Sequence, residues 1–252
     1  KTVEYERIEC NFKILDGYLF LSPTDKKETL EKEYAAAKSA GLQIEMLECV
    51  PGIDVEEDKW SIRFSGQGQF HIMKYLKGLA DAIINMGGEI YTETRAEDVS
   101  ETGAKANGFE IKAKKIVVAT NTPFNDWVTM HTKQWPYRTY VIASKIPKGT
   151  LPQALWWDTG NKDSKWTSQP YHYVIISGGE DQKEGQAETK DIPEEERYAN
   201  LIKWTRKRFP DVSTIDYKWS GQVMEPIDSL AFIGKNPGSE NIYIITGDSG
   251  NG

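Results

Sequence analysis

The sequence is poor in the residues that build metal centres. Its 252 residues hold two cysteines, Cys10 and Cys49, and three histidines, His71, His131 and His172, scattered without ligand spacing. Two thiols supply neither a disulfide framework nor a thiolate metal site, and lone imidazoles do not assemble zinc or iron within the chain. Free thiols in a cytoplasmic protein are the expectation. Long apolar runs are missing as well: mean hydropathy is −0.58, which argues against a membrane-spanning helix, and no signal peptide or anchor is read at the start. Positive charge is in deficit, at a formal −7. With no basic stripe, a backbone-reading nucleic-acid binder is disfavoured. Lys203, Arg206, Lys207 and Arg208 come nearest to a basic cluster, but they fall in the last turns of a predicted helix, where cations suit the dipole, and read as a solvated face. The dinucleotide fingerprint G-x-G-x-x-G is also lacking; Gly66-x-Gly68 sits in a glutamine-rich context with a helix beginning only later.

What is present alternates between two textures. Tyr18–Leu21 reads as a short strand, Ser22-Pro23-Thr24-Asp25 as a helix start, and Leu30, Tyr34 and Ala37 as one face of that helix. A second helix from about His71 to Met86 carries Ile72, Tyr75, Leu76, Leu79 and Ile83 on one side and ends at Gly87-Gly88. A hairpin around Asn107-Gly108 follows, then Lys115–Ala119 as a fully buried strand. From Lys133 to Gln222 the segments "YRTYVIASKI", "YHYVIISGG" and "STIDYKWSGQV" are Tyr-rich and β-branched, which suits an antiparallel sheet. Between them Asp191–Glu196 opens a helix with acids that Arg206-Lys207-Arg208 closes. Layered texture returns in Leu230–Gly234 and Ile242–Thr246, and the last strand breaks into "GDSGNG", a tight turn. Eight tryptophans, among them Trp156, Trp157 and Trp166, raise a sugar-stacking surface, although aromatics more often fill cores and line pockets.

Taken in order, "DGYLFLSP", "QFHIMKYLKGLADAI" with "GGEIYTETRAEDV", "KIVVATNTP", "MHTKQWPYRTYVIASKIPKG", "WSGQVMEPIDSLAFIG" and "TGDSGNG" resemble the FAD-dependent oxidoreductases of the D-amino acid oxidase and glycine oxidase type. The wording of the last two is most like the branch in which the flavin unit is followed by a Rieske [2Fe–2S] domain. The resemblance implies an α/β with α+β fold: an incomplete Rossmann-like FAD-binding domain interleaved with an antiparallel-sheet substrate domain. It apportions residues 1–68 mainly to the substrate domain, 69–130 to the FAD-binding domain, 131–225 to the substrate sheet and 226–252 again to the FAD-binding domain. It also implies an internal portion without the opening βαβ unit and the closing helix, binding FAD weakly or not at all by itself.

For the cofactor, the resemblance places Ala96 beside the adenine and Ala119, Thr120 and Asn121 near the ribose and pyrophosphate. Gly247, Asp248, Ser249, Gly250, Asn251 and Gly252 would lie against the flavin, with backbone N–H groups of the last three directed at its pyrimidine edge. Reduced flavin develops negative charge there, which fixed donors stabilise. For catalysis, Glu180 is a candidate proton acceptor, with Tyr173 and Gln222 as pocket-lining polar groups. Relatives that oxidise amino acids carry an arginine where Val223 stands, so simple α-amino acid oxidation is in doubt; Arg138 is a nearby cation, though an arginine closing a strand more often makes a structural ion pair.

The resulting expectation is a flavoprotein portion that oxidises a small amine or amino-acid-like substrate by hydride transfer to FAD. A Rieske-type domain is the expected electron acceptor, its [2Fe–2S] cluster outside this chain. The rival readings are a non-redox module holding a nucleotide or small acid, and a sugar binder built on the tryptophans.

Overall fold

A computed structural model describes residues 1–125, 132–160, 173–174, 176–184 and 192–248. In chain order the elements are α1 (Thr2–Tyr5), β1 (Lys13–Phe20), α2 (Lys27–Ser39), β2 (Ile44–Leu47), β3 (Ser61–Gln69), α3 (Ile72–Asn85), β4 (Ala96–Ser100), β5 (Gly103–Ala106), β6 (Phe109–Lys112), β7 (Ile116–Val118), β8 (Gln134–Ser144), β9 (Ala154–Asp158), β10 (Tyr173–Val174), β11 (Ile176–Lys183), α4 (Glu194–Arg208), β12 (Ile215–Pro226), β13 (Phe232–Lys235) and β14 (Ile242–Thr246). They form an eight-stranded sheet in the order β12-β8-β11-β10-β9-β1-β3-β2, and two three-stranded sheets, β13-β14-β7 and β4-β5-β6. The chain divides into two compact units, one of Lys1–Ile90, Tyr140–Asp181 and Lys190–Ser220, the other of Tyr91–Thr139, Gln182–Thr189 and Gly221–Gly252.

In the first unit β1 pairs antiparallel with β3 and parallel with β9, setting Leu19 beside Ile62 and Trp157, and Tyr18 beside Trp156. Because side chains alternate along a strand, these two sets occupy opposite faces. Leu30 of α2 packs with Ile62 and Leu19 on one face. On the other, Tyr18, Phe20 and Trp156 pack with Phe209 and Val212, and further along Tyr140 and Ile142 pack with Tyr198 and Leu201 of α4. Trp156 is buried and its indole N–H donates to the Pro51 carbonyl at 2.7 Å, so this tryptophan is a core residue and offers no sugar surface. Both cysteines are free thiols.

The end of α4 departs from the solvated face expected for it. Arg208 is buried and pairs with the equally buried Asp58, Nε lying 2.8 Å from Oδ2. Its guanidinium also stands 4.4 Å from the Trp204 ring centre and 5.4 Å from that of Phe20. Lys207, one residue earlier, remains half-exposed against Glu57. A helical turn places successive side chains about 100° apart, so only one member of a basic run can face the core, and here a carboxylate waits for it.

Helix α3 forms where the periodicity puts it, with His71 Nδ1 accepting from the Lys74 N–H. None of its residues is buried among the described residues; Ile72, Met73, Leu76, Ile83 and Ile84 are all exposed.

In the second unit Asn107 and Gly108 both take positive φ, at 48° and 83°, joining β5 to β6 in the hairpin that the Asn-Gly pair predicts. Val118, Ile242 and Ile244 make the core of the β13-β14-β7 sheet, with Val99 of β4 packed against it. The Glu101 carboxylate accepts from the backbone N–H of Glu240 at 3.2 Å and of Asn241 at 2.7 Å, which fixes the entry to β14. The expectation of a fully buried strand at Lys115–Ala119 is corrected. β7 is an edge strand among the described residues, and Val118 alone is buried while Val117 is 58% exposed.

Candidate cofactor site

β7 and β14 run parallel and adjacent, Ile116 opposite Ile242 and Val118 opposite Ile244. Their carboxyl ends therefore open side by side, and that end of parallel strands is where α/β sheets receive ligands. β7 runs out through Ala119, Thr120 and Asn121, all exposed; β14 runs into the buried Gly247 and the exposed Asp248. The two exits are joined by Thr246, which is fully buried and whose hydroxyl donates to the Asn121 carbonyl.

Each exit is conformationally demanding. Asn121 has φ 61°, and the Thr122 N–H donates to the Thr120 carbonyl at 2.6 Å, a tight positive-φ γ-turn of a kind that is rare because it is strained. Gly247 has φ 75°, and a Cβ there would stand 2.5 Å from Cγ of Pro226. Glycine is required on both counts: the space a side chain would take is filled by the Pro226 ring. Over the same turn lies Gln134, the first residue of β8. It is 5% exposed, its Oε1 is 3.1 Å from the Thr246 hydroxyl, and its Nε2 is buried without a hydrogen-bond partner among the described residues. Buried amide groups are seldom left unmet. Two adjacent strand exits, each with a positive-φ turn, and an unmet buried amide fit a nucleotide cofactor.

Of the cofactor residues read from the sequence, the structure thus brings Ala119, Thr120 and Asn121 together with Gly247 and Asp248. Ala96 opens β4, exposed and opposite Ala106, three residues before the Val99 that packs on the β7–β14 core. Ser249, Gly250, Asn251 and Gly252 lie outside the described residues.

The catalytic candidates have other engagements. Glu180 takes φ 57° in β11; its carbonyl accepts from Arg197 Nη1 at 2.9 Å and its carboxylate from Asn200 Nδ2 at 3.3 Å, both on α4. Gln222 is exposed, and its amide donates to Sδ of Met224 at 3.3 Å. The backbone of Tyr173 pairs with Trp157 and Gly178, while its side chain lies outside the described residues. Arg138 is ion-paired with Glu184.

Sequence reading passed over Gln134 and Thr246, and a second group in the same unit, Trp135, Tyr137 and Lys183. The Lys183 ammonium lies 5.4 Å from the Trp135 ring centre and 5.8 Å from that of Tyr137, and no carboxylate pairs with it among the described residues. Alternation along β8 puts Trp135 and Tyr137 on the face opposite Gln134 and Arg138.

Residues 3–252 match the family model described as FAD dependent oxidoreductase. The chain belongs to that family. It is 27% identical over 254 residues to YhfW of Bacillus subtilis (strain 168), whose name describes a Rieske 2Fe-2S iron–sulfur protein; the match covers 97% of the chain and 48% of the relative. The chain thus spans about half the length of that relative. Among solved structures it resembles L-proline dehydrogenase from P. horikoshii, with TM-score 0.75 at 18% identity, and glycine oxidase from Geobacillus kaustophilus, with TM-score 0.76 at 17% identity. Each alignment covers 99% of this chain and 70% of the other. The α/β fold anticipated from the sequence is that of these neighbours. Among the described residues no helix is long and apolar enough to cross a membrane, and no cluster of three or more His, Cys, Asp or Glu could hold a metal.

Proposed function

We propose that the whole protein is an FAD-dependent oxidoreductase that oxidises a small amine or amino-acid-like substrate and passes the electrons to a Rieske [2Fe–2S] domain. The observation that carries the cofactor assignment is the pair of strand exits tied by Thr246, beside the unmet buried amide of Gln134. Asn121, Gly247 and Gln134 would hold FAD, which when bound supplies a two-electron acceptor for a hydride equivalent from the substrate. The chain's own contribution is preorganisation: exits locked by a buried hydroxyl cannot relax when the ligand arrives, so donors and acceptors stay aimed.

On the substrate side, Val223 of β12 stands where the resemblance puts the carboxylate-binding arginine of amino-acid-oxidising relatives. Lys183, backed by Trp135 and Tyr137, is the replacement we assign, since an ammonium held against two aromatic rings leaves its N–H donors to an anion. The Rieske acceptor is supported by the name of the Bacillus subtilis relative.

The test is a visible spectrum of the intact protein before and after dithionite, followed by anaerobic mixing with a panel of small amines and amino acids. Flavin bands with broad iron–sulfur absorption, bleached by dithionite and by at least one substrate, are the expected result. A protein that stays colourless after added FAD would overturn the reading and favour a non-redox module.

A further inference from the structure

The hydrogen bonds around Thr246 fix which way the Gln134 amide points. A threonine hydroxyl carries one proton and two lone pairs. Its proton goes to the Asn121 carbonyl, the shorter of its two contacts and a group that can only accept. Toward Gln134 the hydroxyl therefore presents a lone pair, and a lone pair facing the Gln134 carbonyl oxygen at 3.1 Å is two acceptors in contact. Half a turn of the terminal amide leaves its shape unchanged and resolves the conflict. Nε2 then donates to Thr246, Thr246 donates to Asn121, and the polarity runs one way from Gln134 to the β7 exit.

With that orientation the atom left buried and unmet is the Gln134 carbonyl oxygen, in the position where the second amide atom finds no partner among the described residues. The Gln134 amide lies over the Thr246–Gly247 turn, its Thr246-bonded atom 3.4 Å from where a Gly247 Cβ would be, and the unmet oxygen is the other atom of that amide. A buried acceptor without a donor is costly unless a ligand supplies one.

We propose that Gln134 is a cofactor-contacting residue whose side-chain carbonyl accepts a hydrogen bond from bound FAD, from a ribityl hydroxyl or a ring N–H. The inference rests on the flavoprotein reading above. It adds a polar contact from β8 to those of the two strand exits, and it gives the Gln134–Thr246–Asn121 chain a task, since an amide anchored by its nitrogen holds its oxygen still.

The experiment uses the intact protein, stripped of flavin and titrated with FAD while flavin fluorescence quenching is followed, beside melting curves without and with FAD. Gln134→Leu removes the acceptor at nearly constant volume; Gln134→Met does so with a more flexible chain, in case the leucine does not fold. The expected result for either is a dissociation constant for FAD raised about 3- to 10-fold, the loss of one neutral hydrogen bond. The flavin-free melting temperature should stay close to that of the wild type, because the lost bond to Thr246 is offset by removal of an unmet acceptor. An unchanged dissociation constant with lower melting temperatures in both states would make Gln134 purely structural and overturn the proposal. Wild-type protein that takes up no FAD would instead overturn the flavoprotein reading, so the two failures are told apart.

Discussion

The side chain of Thr246 closes a gap of 125 residues, its hydroxyl donating to the backbone carbonyl of Asn121. That bond links the turn after β14 to the turn after β7 and makes two strand exits into one rigid edge. Thr246→Val keeps the shape but leaves the Asn121 carbonyl and the Gln134 amide without their partner. We expect a loss of about 1–3 kcal/mol in the unfolding free energy with or without FAD, restored largely by Thr246→Ser. Denaturant unfolding of the three proteins measures it; Thr246→Val unfolding like wild type would show that the bond does not organise the edge.

Gly247→Ala tests the turn after β14. Positive φ alone costs an L-residue about 1–2 kcal/mol, and the new methyl would stand 2.5 Å from Cγ of Pro226, a ring atom with little freedom to withdraw. The variant should melt several degrees lower and retain little FAD after gel filtration, read from the ratio of flavin to protein absorbance. Full flavin occupancy would mean that the backbone at Gly247 is not approached by the cofactor.

Away from that edge, the Asp58–Arg208 pair holds α4 to the 50–60 loop of the first unit. Arg208→Met leaves a buried carboxylate uncompensated, with an expected cost of about 3–5 kcal/mol at neutral pH, whereas Asp58→Asn with Arg208→Met should recover much of it. Burial is the largest influence on the Asp58 carboxyl and pushes it above its usual 3.8, with Arg208 pulling the other way. Removing Arg208 therefore raises it further. A carboxyl with a raised folded value contributes fully below its unfolded value, and that contribution is lost as pH rises through the folded one. The deficit of Arg208→Met should accordingly shrink as pH falls toward about 4. A deficit constant from neutral pH to that point would show that the pair is not what fails in the variant.

How much of this was readable in advance depends on the kind of signal each residue carries. The Asn107-Gly108 hairpin and α3 follow from local chemistry, a turn that needs positive φ and a 3.6-residue period, and both were legible. Gly247 was legible as a turn and, through the resemblance, as part of the cofactor segment; the Pro226 that fills its side-chain space was not, because β12 brings it there. Gln134 and Thr246 carry no motif; one is a polar residue at a strand start and the other a threonine at a strand end, and only pairing of β14 with β7 gives them meaning. Arg208 was misread because charge patterning along α4 is the same whether or not Asp58 sits opposite its last turn. Glu180 was read as a candidate proton acceptor, and the structure gives its carboxylate a 3.3 Å hydrogen bond from Asn200 Nδ2 on α4, a partner that sequence spacing does not announce.

The role proposed for Lys183 makes a prediction about substrate class. If the ammonium on Trp135 and Tyr137 receives a carboxylate, Lys183→Met should raise KM for carboxylate-bearing substrates by about tenfold or more, the worth of a hydrogen bond to a charged group, with kcat changed far less because the contact is made equally before and during the reaction. Neutral amines of the same size should be almost indifferent, and Lys183→Arg should recover part of the lost affinity. The comparison separates binding from packing: an ammonium that only props the two rings would, when replaced by methionine, affect acids and neutral amines alike. Equal loss on both would return Val223 to its plain reading, a site with no cation for a carboxylate, and would point to an amine lacking an acid group as the substrate.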